Sequence, residues 1–596
     1  MKFRSLLVAN RGEIALRIFR TARRMGLECI AVYSEADREA RHVREADAAV
    51  CIGAAAPRAS YLNIAAIVAA ARARGAEAVH PGYGFLAENA DFAQAVLEAG
   101  LVWVGPAPVA IRAMGDKANA KRLAQAAGVP VLESFEEGGK IAYPVMIKAV
   151  AGGGGRGMRL VRSAAEMASL FATAKSEALA AFGDDRMILE RAVVAPRHIE
   201  VQLLADTHGN IVHLGERDCS VQRRHQKLIE ETPSPAVDAV LRAKLGEAAI
   251  TIARAVNYSG AGTVECLVDA EKNFWFMEMN TRLQVEHPVT EMVSGLDLVE
   301  WQLRVAAGEP LGFGQSDLRS TGHAIEVRLC AEDPAQGFLP QAGTVALWRA
   351  PAGVRVETAL ESGAVISPHY DSMIAKLVAH GPTRDAAREK LAAALDACVA
   401  LGVEHNAAFL AAVLRDPVFS GAGATTGFLA ERFAGWAPAP PDERLIATAR
   451  ALYAQSCAEA AGYGEWACWS NAGGSAAAAA GFDATGIPHV RDGQTLHFLL
   501  DGVSRTWRDA SMDPPKRAAL GAADGRVLAP MNGKVADLHA RVGDTLAEGA
   551  ALLVLEAMKM EHTLAAPVAL RVTAVHVARG AQVSPGQLLL EFEPAR

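Results

Sequence analysis

The densest chemistry in this 596-residue sequence lies in Phe276-Met277-Glu278-Met279-Asn280-Thr281-Arg282-Leu283-Gln284-Val285-Glu286-His287-Pro288. Upstream, Gly262-Thr263-Val264-Glu265 begins a strand that pairs with it. Glu265 and Glu278 then stand on neighbouring strands, and Asn280, two residues on, shares the face of Glu278. Two carboxylates and an amide oxygen are hard ligands suited to Mg²⁺. Without a partner, carboxylates buried there would be costly. Arg282, Gln284 and Glu286 continue at period two and can converge on a small anion. The guanidinium would bind it and the carboxylate would take its proton. A structural salt-bridge ladder is the competing reading.

A second cluster surrounds a glycine-rich stretch. The strand Pro144-Val145-Met146-Ile147-Lys148-Ala149-Val150 leads into Gly152, Gly153, Gly154, Gly155, Arg156 and Gly157. Gly152, Gly154 and Gly157 fit GxGxxG, but a dinucleotide loop should open a long helix. Met158-Arg159-Leu160-Val161 reads instead as a returning strand, and Met158 stands where a Walker loop needs lysine. Glycines let backbone N–H groups approach phosphates closely, and Lys117 and Lys148 can add positive charge. A structural turn remains the alternative. Farther on, Arg217-Asp218-Cys219-Ser220-Val221-Gln222-Arg223-Arg224-His225-Gln226-Lys227 is dense in polar groups, which by default is a solvated loop. His198, in Arg197-His198-Ile199-Glu200, is equally readable as a hydrogen-bonded strand residue.

The third candidate is Lys559, in Leu555-Glu556-Ala557-Met558-Lys559-Met560-Glu561. The apolar run from Ala551, a turn and a second segment from His562 read as a β-hairpin with Lys559 at its tip. Gly543, Gly549, Leu552, Leu553 and Glu556 recur 37 residues later as Gly580, Gly586, Leu589, Leu590 and Glu593. Two similar strand sets predict a flattened two-fold β sandwich. Flexible thioethers on both sides of Lys559 suit packing against another surface.

The elements that position these residues change along the chain. Residues 1–103 alternate strand and helix, with strands at 5–9, 28–33 and 76–80 and helices at 13–25 and 64–73, a βαβ pattern implying a parallel sheet. Prolines at 438–441 suggest a linker; a helix at 443–458 and strands at 495–500 and 503–507, turning at Asp501-Gly502, follow. Hydrophobic residues make up 51% and charged ones 21%, so most of the chain should be globular. A net charge of −7 over this length argues against nucleic-acid or membrane-surface binding. The eight cysteines form no CxxC pair or zinc spacing. The N-terminal apolar run is too short for a signal peptide, and no run is long enough to span a bilayer. A cytoplasmic location is expected.

Several stretches carry a family resemblance. Asn10-Arg11-Gly12-Glu13, His80-Pro81-Gly82-Tyr83-Gly84-Phe85-Leu86, the glycine loop, the 217–231 string and Ser367-Pro368-His369-Tyr370-Asp371-Ser372-Met373-Ile374-Ala375-Lys376 are similar to biotin carboxylases. Ala557-Met558-Lys559-Met560 matches the attachment motif of biotin carrier domains. The whole chain resembles the α subunits of biotin-dependent acyl-CoA carboxylases. The resemblance implies an α/β multi-domain chain: a Rossmann-like N-terminal domain (1–113), an ATP-grasp domain (114–318), a biotin carboxylase C-terminal domain (319–438), a small α+β partner-docking domain (439–523) and an all-β biotinyl/lipoyl-type sandwich (524–596).

It also implies roles. Biotin is covalent on Lys559, and MgATP lies under the glycine loop with Lys117 and Lys148. Glu190 and Val193 lie at the adenine, His198 near the ribose, and Gln222 and His225 along the nucleotide. Glu265, Glu278 and Asn280 hold the metal. Lys227 and Arg282 stabilise the anions, Gln284 and Val285 line bicarbonate, and Glu286 deprotonates it. Carboxyphosphate then yields CO₂, and Arg328 reaches the biotin ureido oxygen. Carboxybiotin is expected to go to a separate carboxyltransferase β subunit, since no acyl-CoA carboxyltransferase segment is found in the remaining length, and a biotin protein ligase attaches the biotin. The expected acyl-CoA is 3-methylcrotonyl-CoA, with geranyl-, propionyl- and acetyl-CoA as alternatives.

Overall fold

The strand Ser5–Val8 is buried along its whole length, as a strand covered on both faces must be. It lies at the centre of a five-stranded parallel sheet ordered Ala48–Gly53, Glu28–Ser34, Ser5–Val8, Ala78–His80, Val102–Trp103. The helices Gly12–Arg24 and Ile64–Ala73 supply crossovers, close to the predicted positions. Ala48–Gly53, which the sequence reading omits, is a short, mostly half-buried edge strand. In this computed structural model the described residues are 2–136, 139–150, 158–461, 486–509, 525–558 and 560–595.

The site is carried by an eight-stranded sheet, ordered Phe274–Asn280, Gly260–Val268, Arg197–Ala205, Ile211–Arg223, Gln226–Thr232, His323–Cys330, Met373–Gly381, Arg355–Thr358. Every neighbour in it is antiparallel. It runs without a break from the central part of the chain into the part after residue 319, through the pairing of Ile229 with Val327 and Glu230 with Glu326. A separate four-stranded sheet pairs Val145–Ala149 with Arg159–Val161, antiparallel, with Ile147 opposite Arg159. This is the predicted returning strand; the glycine loop itself (Gly152, Gly153, Gly154, Gly155, Gly157) lies outside the described residues.

After residue 438 the helix Glu443–Ala461 packs Ala449 and Leu452 against Leu496, Phe498 and Leu500. Its strands are Thr495–Leu500 and Val503–Arg508 as expected, plus His489–Asp492, which the sequence reading omits. The last segment forms two four-stranded sheets around a shared core that includes Leu552, Leu553, Leu589 and Leu590. The repeat is visible in the turns: Gly543 and Gly580 have φ +94° and +90°, Gly549 and Gly586 +81° and +78°. Only glycine takes such angles without strain, so the repeated glycines mark equivalent corners. Among the described residues no helix is long and apolar enough to cross a membrane.

Candidate active site

On the antiparallel strands Gly260–Val268 and Phe274–Asn280, Glu265 stands opposite Glu278 and Thr263 opposite Asn280. The expected shared face is therefore present. The period-two expectation ends at Asn280. Residues 281–286 are an irregular turn into the helix His287–Ser294, with Glu286 at its N-cap and a proline in its first turn. Pro288 favours a helix start and has no N–H for a strand ladder. The side chains still converge, held by one another rather than by a pleat. Arg282 donates to Gln284 Oε1 at 2.7 Å, Asn280 Oδ1 at 3.0 Å and Glu88 Oε2 at 2.7 Å.

Glu286 is fully buried and makes no cap hydrogen bond. Its two oxygens accept from Lys227 Nζ at 2.7 Å and from Arg328 Nη2 at 2.9 Å. Lys227 also donates to Glu265 Oε1 at 2.9 Å and to Glu200. Arg328 donates to Glu230 Oε1 at 2.6 Å. Burial works against the charge on Glu286, but Lys227, Arg328 and Arg217 overcome it and hold the carboxyl well below its usual range. Burial likewise opposes charge on Lys227, and the surrounding Glu200, Glu265 and Glu286 raise its pKa well above the ordinary value.

Glu265 is the other hub. It accepts from His198 Nε2, drawn as the donor, at 2.9 Å, from Asn280 Nδ2 at 2.8 Å and from Gln284 Nε2 at 3.2 Å. His198, expected near a ribose, is thus engaged by an expected metal ligand. Glu265 and Glu278 both face the cavity described next, and Lys117 Nζ sits 3.4 Å from Glu278 Oε2. This set of hard oxygen donors fits Mg²⁺. Among the described residues, ligand atoms of His198, Glu200 and Glu265 lie within 4.8 Å of one another, as do those of Glu200, Cys219 and Glu286.

Lys148 and Lys121 both bind Glu190, at 2.6 Å and 2.8 Å. Burial pushes the Glu190 carboxyl up, and the two lysines more than reverse it. His225, with φ +65°, forms the turn between Ile211–Arg223 and Gln226–Thr232, and Gln222 lies opposite Lys227. Burial and Lys148 lower the His225 pKa. One cavity of about 1780 Å³ is lined by Lys117, Lys148, Glu190, Val193, His198, Gln222, His225, Lys227, Glu265, Glu278, Asn280, Arg282, Gln284, Val285 and Arg328. It exceeds the roughly 300–1,000 Å³ that suits a drug-sized ligand. Glu286 is not among its lining residues but is bonded to two that are, Lys227 and Arg328.

Met558 also lines this cavity. The strands Ala551–Ala557 and Met560–Ala565 form the predicted hairpin, with Ala557 opposite Met560 and Met558 turning at φ +48°. Met558 is buried against Ala331, Val345, Leu360 and Ile366 of the preceding segment. Lys559, next in sequence, lies outside the described residues.

Four families match the chain. They are described as biotin carboxylase N-terminal domain (2–111), carbamoyl-phosphate synthase L chain ATP binding domain (114–313), biotin carboxylase C-terminal domain (326–431) and biotin-requiring enzyme (525–592). The propionyl-CoA carboxylase α chain of Ruegeria pomeroyi is 40% identical, over 99% of this chain and 100% of that one. The chain belongs to the α chains of the biotin-dependent acyl-CoA carboxylases. As such it is a biotin carboxylase, an ATP-dependent ligase, with its own biotin carrier domain. The mitochondrial methylcrotonoyl-CoA carboxylase subunit α of mouse is also 40% identical, over 99% of this α chain and 93% of its own length. Among solved structures, the biotin carboxylase domain of Hydrogenobacter thermophilus 2-oxoglutarate carboxylase, in complex with MgADP and bicarbonate, has a TM-score of 0.72 and 43% identity, covering 74% of this chain and 100% of that one.

Sequence reasoning assigned no role to Glu88, Lys121, Glu200, Arg217 or Glu230 of the α chain. Glu200 and Glu230 are fully buried counter-ions of Lys227 and Arg328, and Arg217 pairs with Glu200. Glu200 stands directly opposite Glu265 in the sheet, so strand pairing is the signal that would have found it.

Proposed function

We propose that this α chain uses MgATP and bicarbonate to carboxylate biotin attached to Lys559, and that a separate carboxyltransferase β subunit transfers the carboxyl group to 3-methylcrotonyl-CoA. The observation that carries the reading is the buried Glu286, held between Lys227 and Arg328, which line a cavity that Met558 of the carrier hairpin also lines.

Lys117, Lys148, Gln222 and His225 face the nucleotide, and the glycine loop covers its phosphates. Glu265, Glu278 and Asn280 would hold Mg²⁺, which neutralises charge between the phosphates. Arg282, fixed by Glu88 and Gln284, orients bicarbonate beside the Val285 backbone. Glu286 then takes the bicarbonate proton, and the resulting oxygen attacks the γ-phosphate, displacing ADP and giving carboxyphosphate. A carboxylate held by two cations is a weak base. Its strength rises when Lys227 turns to the phosphate and Arg328 to the ureido oxygen, so base activation accompanies substrate loading. Biotin supplies the nitrogen that captures the CO₂ released when carboxyphosphate splits, its proton passing to the phosphate set free. The tether keeps it at high local concentration, so weak docking suffices.

A biotin protein ligase attaches the biotin, and the helix-and-sheet unit within 439–523 docks the β subunit. The named relatives in Ruegeria pomeroyi and mouse are equally similar to this chain, at 40% identity each. Propionyl-CoA is therefore the second reading. The test is labelled-bicarbonate fixation by the complex captured on streptavidin from its native host, with a panel of acyl-CoAs. Acid-stable label with 3-methylcrotonyl-CoA supports the first reading; label with propionyl-CoA alone replaces it by the second.

A further inference from the structure

Three family-like stretches have no role in the chemistry above: 10–13, 80–86 and 367–376. They meet at one ammonium group. Lys376, on the strand Met373–Gly381, is fully buried. Its Nζ lies 3.2 Å from Glu13 Oε1 of the first helix and 5.5 Å from the ring centre of Tyr83 in the glycine-rich turn. The same Nζ donates to the carbonyl oxygen of Val285 at 2.8 Å. Cross-strand pairing sets Lys376 beside Arg328 and Glu357, and Glu326 lies on the same face, two residues from Arg328. Glu326 is fully buried and neither of its carboxylate oxygens has a hydrogen-bond partner.

A fully buried lysine is costly unless its charge is met. Mere support of the sheet would be served more cheaply by an apolar residue. What Lys376 reaches is the peptide between Val285 and Glu286, in the irregular turn 281–286, where no strand ladder fixes the backbone. Gln284 and Glu286 flank the anchored residue on either side.

We infer that Lys376 is a positioning residue: with Glu13 and Tyr83 it anchors the Val285 carbonyl and thereby sets the bicarbonate-binding turn relative to Arg282 and Arg328. The inference rests on the biotin carboxylase reading of the site. It makes the N-terminal and C-terminal segments joint determinants of bicarbonate affinity, although neither contributes a group that touches the anion there.

The experiment is steady-state, bicarbonate-dependent ATP cleavage by the full chain with added free biotin, comparing wild type with Lys376→Met. Losing a charge-assisted hydrogen bond to the turn should raise the KM for bicarbonate about tenfold or more, with the KM for ATP within about twofold. Because Lys376→Met leaves Glu13 without its cation, the charge-matched double variant Lys376→Met/Glu13→Gln is measured alongside and should show the same split. An unchanged bicarbonate KM in either folded variant overturns the inference, as does an equal rise in both KM values. Absence of bicarbonate-dependent cleavage in the wild type would instead overturn the functional reading on which it rests.

Discussion

Replacing Glu286 by Gln removes one negative charge and keeps the shape of the side chain. The buried cations it faces are not stranded. Lys227 keeps Glu200 and Glu265, and Arg328 keeps Glu230. Removing the partner of an otherwise isolated buried charge costs about 3–5 kcal/mol. With remaining counter-ions the cost should be nearer that of one charged hydrogen bond, about 1.5–3 kcal/mol. The variant should fold and bind nucleotide. It should lose the group that deprotonates bicarbonate, which for general-base catalysis is worth about 10²–10⁴ in rate. The assay is phosphate release with free biotin and saturating bicarbonate, with melting temperature and ADP affinity measured on the same protein. A folded, ADP-binding Glu286→Gln within tenfold of wild-type turnover would refute the assignment of the base.

Three further outcomes are expected. Lys559→Ala should abolish acyl-CoA carboxylation by the assembled complex, read as acid-stable label, and keep slow bicarbonate-dependent ATP cleavage with free biotin. Burial raises the Glu326 carboxyl well above its usual range, outweighing the nearby Lys376. A carboxyl raised in the folded state lends stability at low pH and loses it as pH rises above the unfolded value of about 4.3. The melting temperature of Glu326→Gln, relative to wild type, should therefore climb as pH rises above about 4.3. Met558→Asp puts a carboxylate into the apolar socket of Ala331, Val345, Leu360 and Ile366. Forfeiting the burial of one methionine, about 1.5–3 kcal/mol, should slow loading of tethered biotin at least tenfold relative to free biotin in a single-turnover comparison.

Residue types and spacing carried the opposed Glu265 and Glu278, the returning strand after the glycine loop and the repeat around Lys559, because each is local or repeated. The buried counter-ions were not legible. A glutamate in an alternating strand usually faces water, and nothing near Glu200 or Glu230 in sequence says that these two face inward. Their burial depends on which strands become neighbours: Glu200 meets Glu265 across 65 residues and Glu230 meets Glu326 across 96. The turn 281–286 was misread as strand for the opposite reason. Its polar residues happen to fall two apart, while Pro288 marks the start of a helix. Lys376 was given no role of its own because its partners, Glu13, Tyr83 and Val285, come from three distant stretches.

The central claim is that this chain loads its own carrier. The most direct test is to incubate the purified biotinylated chain with MgATP and labelled bicarbonate, isolate it rapidly at alkaline pH, and count label on the protein. Acid-labile label should appear on the protein, require ATP and be absent from Lys559→Ala. Folded, fully biotinylated protein that cleaves ATP in the presence of bicarbonate yet takes up no label would contradict it.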